Sequence, residues 1–194
     1  MSRKSMSGKT RRLAICSVMA ALGVVILELG TLLQVFDISA SIGASVIILL
    51  MILEYGGAYP MLVFAVTGVL SLILIPSNSA AWMYLGFFGY YPMLKFRFEG
   101  FKKPVAVILK FVSINIAVAA YLLVIYLVLR GGTGSLTDIF SMGFGDEGEN
   151  ISLILGWAMV ALIEFMFIVY DFLLSRITVL YNFRWRQLFS KFFR

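Results

Sequence analysis

Histidine is absent from this chain, cysteine occurs once, and only 13% of the 194 residues carry a charge. Without histidine, a Ser-His-Asp triad or a zinc or haem site of the ordinary His-based kind is not to be expected. With Cys16 alone no internal disulfide can close, and a small thiol inside an apolar stretch reads as interior packing. Leu13, Ala14 and Ile15 precede it, and the bulky Ile stands where a lipoprotein cleavage site needs something small. No GxxxxGK[ST] string occurs, so the chain by itself lacks the phosphate cradle of that class of ATPase. A membrane enzyme working through carboxylates has nothing specific in its favour. The expectation is a protein that is not an enzyme and carries no cofactor or metal.

What the chain has in abundance is apolar surface. Hydrophobic residues make up 61% of it, and a soluble core of this size cannot hide so much, because small domains need far more polar cover. Six apolar stretches stand at 13–36, 38–53, 58–75, 80–94, 105–129 and 151–177, each near the ~20 residues that cross ~30 Å of hydrocarbon, the second and fourth being short. Arg3, Lys4, Lys9, Arg11 and Arg12 precede the first stretch. Lys95, Arg97, Lys102 and Lys103 separate the fourth from the fifth, and Arg176, Arg184, Arg186, Lys191 and Arg194 follow the sixth. With six spans all three clusters share one side, and the positive-inside rule makes it the cytoplasm. Lys110 is placed to snorkel to the same face. The opposite gaps hold only Arg130 among cations, together with Asp37, Asp138, Asp146, Glu147 and Glu149. The net charge of +6 therefore points to anionic lipids at the cytoplasmic face rather than to nucleic acid. The first apolar run, about 24 residues, is well beyond a ~7 to 15 residue signal-peptide core and is expected to stay as a span.

Backbone groups in lipid must be satisfied internally, and the stretches lack the alternation of barrel strands, so the expected fold is all-α: an integral membrane bundle of six transmembrane helices with cytoplasmic N- and C-termini. Residues 1–180 form the transmembrane domain, and 181–194 a basic, aromatic cytoplasmic tail lying on the inner leaflet. Small residues mark close helix approaches: Cys16, Ser17, Ala20, Ala21 and Gly23 in the first span, and Ser39, Ala40, Ser41, Gly43, Ala44 and Ser45 in the second. Such surfaces serve internal packing or the docking of another membrane subunit. Pro76, Ser77, Asn78 and Ser79 fit a tight turn. Pro92, inside the fourth stretch, predicts a kink. The Gly-rich, acidic segment 130–150 is read either as a cover over the outer mouth or as a mobile loop. No internal repeat is evident, which argues against a self-contained pump built from two matching halves.

A carboxylate at mid-membrane costs ~2.5 to 3.5 kcal/mol on the insertion scale, so it marks a protein-lined or watery interior. Glu164 lies near the middle of the sixth span, on one helix face with Trp157, Ala161, Ile168 and Asp171. Glu28 sits in the outer half of the first span beside Gly30 and Thr31, and Asn115 in the fifth has an amide that needs a partner away from lipid. Each serves either helix-to-helix hydrogen bonding or a ligand. Trp82, Tyr84, Tyr121, Tyr126 and Trp157 belong to an interfacial belt or line a pocket for a flat molecule.

Six spans in under 200 residues, a basic start and the small-residue string Cys16-Ser17-Val18-Met19-Ala20-Ala21-Leu22-Gly23 together resemble the substrate-binding S components of energy-coupling factor transporters, bacterial vitamin-uptake systems of the inner membrane. The likeness covers the whole chain in topology and the first span in motif. It implies uptake of a small nutrient, energised by a membrane coupling subunit with two ATPases. An Ala-xxx-Ala-like surface docks on that subunit in the family, and Ser17 with Ala21, beside Ala20, is the nearest match, Ser replacing the first Ala. The family binds its ligand near the outer face, which by position implicates Glu28, Asp37, Asn78, Trp82, Asn115 and Trp157, with Glu164 as the intramembrane carboxylate. The alternative is a non-enzymatic scaffold similar to the rod-shape protein MreD, in which Glu28 and Glu164 only hold helices together. A third expectation, a proton-coupled carrier, requires Glu164 to titrate during transport.

Overall fold

The computed structural model describes residues 2–33, 36–56, 58–130 and 149–185. Among these residues the chain is helical, without strands. In order come α1 (Ser2–Leu32), α2 (Asp37–Glu54), α3 (Tyr59–Leu74), α4 (Ser79–Met83) running into a π-helical turn (Tyr84–Phe88), α5 (Tyr91–Phe98), α6 (Lys103–Arg130) and α7 (Glu149–Leu180), followed by a second π-helical turn (Tyr181–Trp185). Four segments, Gly8–Leu32, Asp37–Glu54, Lys103–Ala120 and Trp157–Phe183, are long and apolar enough to cross a membrane. By length and composition they make the chain a multi-pass membrane protein. The shorter α3 has 16 residues, about 24 Å of helix.

The fourth apolar stretch is not one helix. A helix running through Pro92 would lose a backbone donor and drive the ring into the carbonyl of Phe88. The chain instead closes the π turn with Gly89 N–H on Tyr84 O at 2.7 Å, then starts α5 with Pro92 in its first turn, where the missing N–H costs nothing. The expected kink is thus a full interruption. Gly89 permits it because the Phe64 ring lies 2.6 Å from where a Cβ would stand.

The described residues divide into two compact units. The first draws on Met1–Ala106 and Leu174–Arg194. In it α1 and α2 run antiparallel and touch through small residues, Gly30 directly against Ala40 and Gly43 3.4 Å from Ile26. The parallel α1 and α3 approach where Gly23 leaves room for Thr67, whose hydroxyl donates to Ala20 O across 47 residues of sequence. Leu27, Ile48, Met51 and Tyr84 fill the core between them. The outward stripe of α1, Val18, Leu22, Val25 and Leu29, is apolar and exposed, as a lipid-facing surface is.

At the opposite end from Gly30, the Arg12 guanidinium lies 5.7 Å from the Tyr55 ring. Burial, with Glu54 beside it, pushes the Tyr55 phenol above its ordinary range, while Arg11 and Arg12 pull it back. Tyr181 is buried and its hydroxyl donates to the Glu54 carboxylate. The segment expected to lie on the leaflet from 181 onward therefore begins inside the unit, although Phe183 is exposed. Residues 186–194 lie outside the described residues, as does 131–148 of the outer segment. Lys95, read from sequence as a flanking surface cation, is only 2% exposed, its ammonium donating to Ser175 Oγ at 2.6 Å.

The second unit, Val107–Leu173, is an antiparallel pair of α6 and α7. Lys110 and Asp171 form an ion pair of 3.0 Å, the Phe111 and Phe167 rings meet edge to face, and Asn115 Nδ2 reaches Glu164 Oε1 at 3.5 Å. The pairs 110/171, 111/167 and 115/164 advance in opposite directions along the two helices, which fixes the register. Lys110, placed by its sequence position to snorkel, has a carboxylate partner one helix away.

Candidate functional site

Polar side chains gather at the end of the first unit where α1 finishes, α2 starts and α3 turns into α4. The turn forms because Pro76 and Ser77 favour it, and Asn78 N–H closes it on Ile75 O at 3.0 Å. Asn78 then caps α4, its Oδ1 accepting from Ala81 N–H at 2.8 Å. The same oxygen accepts from the Thr31 hydroxyl at 2.6 Å, tying α1 to the turn. Since both bonds need an acceptor, the other atom of the amide is Nδ2. Asp37, in the first turn of α2, where a negative charge suits the helix dipole, accepts from the Ser79 hydroxyl through Oδ2. Ser41, one turn along α2, reaches Ala80 O at 2.7 Å.

These bonds leave much of the site's capacity unused. Both Glu28 carboxylate oxygens, Asp37 Oδ1, Ser71 Oγ and Asn78 Nδ2 are buried and have no hydrogen-bond partner among the described residues. The two cross-links from α1 to the α3 side, Ala20 to Thr67 and Thr31 to Asn78, span the same sequence separation of 47 residues. That constant register sets Ser71 opposite Val24, and Glu28, one turn before Thr31, between the levels of Ser71 and Asn78. Glu28, Asp37 and Asn78 thus come from α1, α2 and the α3–α4 turn at the end where these elements meet, while Ser71, at the level of Val24, lies about 10 Å deeper than Thr31 and Asn78. Buried polar atoms without partners cost ~1 to 3 kcal/mol each, and this site holds several.

Chemically the set is rich in acceptors. Neither Glu28 nor Asp37 forms an ion pair among the described residues. Among the described residues no group of three or more His, Cys, Asp or Glu is placed to hold a metal ion.

The other expected site residues lie elsewhere. Trp82 is 56% exposed, its indole donating to Pro76 O at 3.2 Å, so it braces the turn from outside. Asn115, Glu164 and Trp157 belong to the second unit; the first two face each other, and Trp157 is 72% exposed. On the first span, Ala20 is buried in the unit's own core, whereas Ser17 and Ala21 are exposed. Sequence reasoning missed Ser71 and Thr67. Their signal was present: two hydroxyls four apart in the otherwise apolar α3 mark a polar stripe on the face that meets α1.

Asn78→Ala should remove the cap and the Thr31 acceptor together. A loss of about 1 to 2 kcal/mol is expected, read as a lower thermal unfolding midpoint in detergent, while Asn78→Asp keeps most of it. Compared with protein-family models, with curated proteins and with solved structures, the chain matches none.

Proposed function

We propose that this protein is a membrane-embedded binding subunit for uptake of a small, vitamin-like nutrient, energised by a separate coupling subunit and its ATPases. In this reading the chain crosses a bacterial inner membrane six times with both termini cytoplasmic, α3 and the interrupted segment Ser79–Phe98 providing the two crossings that are not long continuous helices. The observation that supports it is that Glu28, Asp37 and Asn78, from the end where α1, α2 and the α3–α4 turn meet, keep buried polar atoms without a hydrogen-bond partner among the described residues.

Its place in the fold supports the assignment. The cluster lies at the end of the first unit opposite Arg12 and Tyr55. If the basic end faces the cytoplasm and anionic lipid, the cluster faces the outside. A nutrient entering there would exchange its hydration for Glu28, Asp37 and Asn78, with Trp82 at the rim of the turn. Asn115, Trp157 and Glu164, which belong to the second unit, remain separate candidates for ligand contact. The exposed Ser17 and Ala21 offer the coupling subunit a small-residue surface, a role from which buried Ala20 drops out. No step requires a reaction, so the protein is read as a non-enzyme without cofactor.

The test is gentle purification of the tagged protein from its native membrane, with identification of the proteins that accompany it. A membrane coupling protein with two ATPases is expected. Recovery of cell-shape or cell-wall proteins instead would favour the MreD-like scaffold and overturn the transport assignment.

A further inference from the structure

We propose that the ligand of the Glu28–Asp37–Asn78 site is a small organic cation bearing a primary ammonium group, with an acceptor oxygen or ring nitrogen a few bonds away. The inference rests on the binding-subunit reading and narrows it to a chemical class.

The internal bonds of the site account for helix packing. Thr31 to Asn78, Ser79 to Asp37 and Ser41 to Ala80 join α1, α2 and the α3–α4 turn. Glue of that kind pairs the polar atoms with one another. What remains unpaired at this end has a definite composition, three carboxylate oxygens and the amide nitrogen of Asn78, with the Ser71 hydroxyl about two turns deeper. Carboxylate oxygens only accept, the hydroxyl does either, and Asn78 Nδ2 only donates. The complement is a group with several N–H donors and positive charge, next to a single acceptor. Asn78 is fully buried and its amide orientation is fixed by two bonds to Oδ1, so Nδ2 is held in place as the lone donor.

Charge excludes the alternatives. An anionic nutrient would place its charge beside two acidic side chains, Glu28 and Asp37, an unfavourable pairing in a site of low dielectric. A quaternary ammonium has no N–H to give, and it is held elsewhere by aromatic cages, whereas the unpaired atoms here are oxygens. A metal ion lacks a third acidic, His or Cys ligand among the described residues. A primary ammonium uses the available acceptors and leaves Nδ2 to select the molecule by its acceptor.

The test uses the purified full chain in detergent and three compact probes of equal size class at 20 mM: ethanolamine, ethylene glycol and glycolate, with choline and matched sodium chloride as controls. Ethanolamine is expected to raise the unfolding midpoint by about 3 to 5 °C near tenfold its Kd, with glycol, glycolate, choline and salt without effect. Glu28→Gln should abolish the shift. A shift by glycolate or glycol instead overturns the cationic class while leaving a binding site. A shift by choline as well overturns the need for N–H donors. No shift by any probe overturns the ligand proposal, and the fate of the transport assignment is then read separately from the co-purifying subunits.

Discussion

Gly30→Leu should unfold the protein at a temperature lower by several degrees and also weaken whatever the Glu28 site binds. A Cβ at position 30 would land on the Ala40 Cβ, with Phe36 O only 3.4 Å away. The Ala40 methyl cannot rotate aside, so α1 and α2 must move apart. Overpacking of this kind costs about 1 to 3 kcal/mol, against which the gain from replacing a helical glycine, about 0.5 to 1 kcal/mol, is too small to change the sign. Thr31 is the next residue on α1, so separating the helices also strains its bond to Asn78. Gly43→Ala, whose new methyl would meet only Ile26 at 3.4 Å, and Gly86→Ala, with nothing within 4 Å, are the matched controls. If Gly30→Leu unfolds like the controls, α1 and α2 do not pack through Gly30 and Ala40.

The second large effect is expected at the Lys110–Asp171 pair. Removing the cation by Lys110→Ala leaves a carboxylate inside the α6–α7 pair, and the insertion scale sets the cost of such a charge at about 2.5 to 3.5 kcal/mol. The pair is partly exposed, with side-chain accessibilities of 15% and 24%, so the loss should approach rather than exceed that range. Asp171→Asn should destabilise in the same direction, and Lys110→Leu with Asp171→Leu should recover most of the loss, because two apolar residues leave no charge to desolvate. Unfolding of the single and double variants in mixed detergent measures the coupling. A Lys110→Ala protein as stable as the wild type would mean that Lys110 reaches the interface by snorkelling, as its sequence position alone allows.

Those two expectations show where sequence stops. That 105–129 and 151–177 are helices in a membrane was legible, since α6 and α7 cover both stretches and extend beyond them. That Lys110 meets Asp171 was not, because two residues 61 apart pair only once the helices have a register and a rotation. Asn115 and Glu164 were both singled out as polar groups needing partners, yet nothing in either stretch named the other. Along α1 the small residues announced close packing but not its direction: Ala20 turned inward while Ser17 and Ala21 stayed on the surface.

The sequence by itself determined a helical, multi-pass membrane protein, a disturbance of the helix at Pro92, the tight turn at Pro76 to Ser79 and the cost of carrying Glu28 and Glu164 in apolar surroundings. These depend on composition and on backbone chemistry within a few residues, which a chain carries wherever it folds. Only the tertiary structure decided that Glu28, Asp37, Ser71 and Asn78 keep buried atoms without a partner among the described residues, and that Lys95 and Tyr181 are buried. Between membrane helices the hydrophobic pattern no longer distinguishes one face from another, so the partner of each polar group is set by the close contacts of Gly23, Gly30 and Gly43, and those exist only when the helices meet.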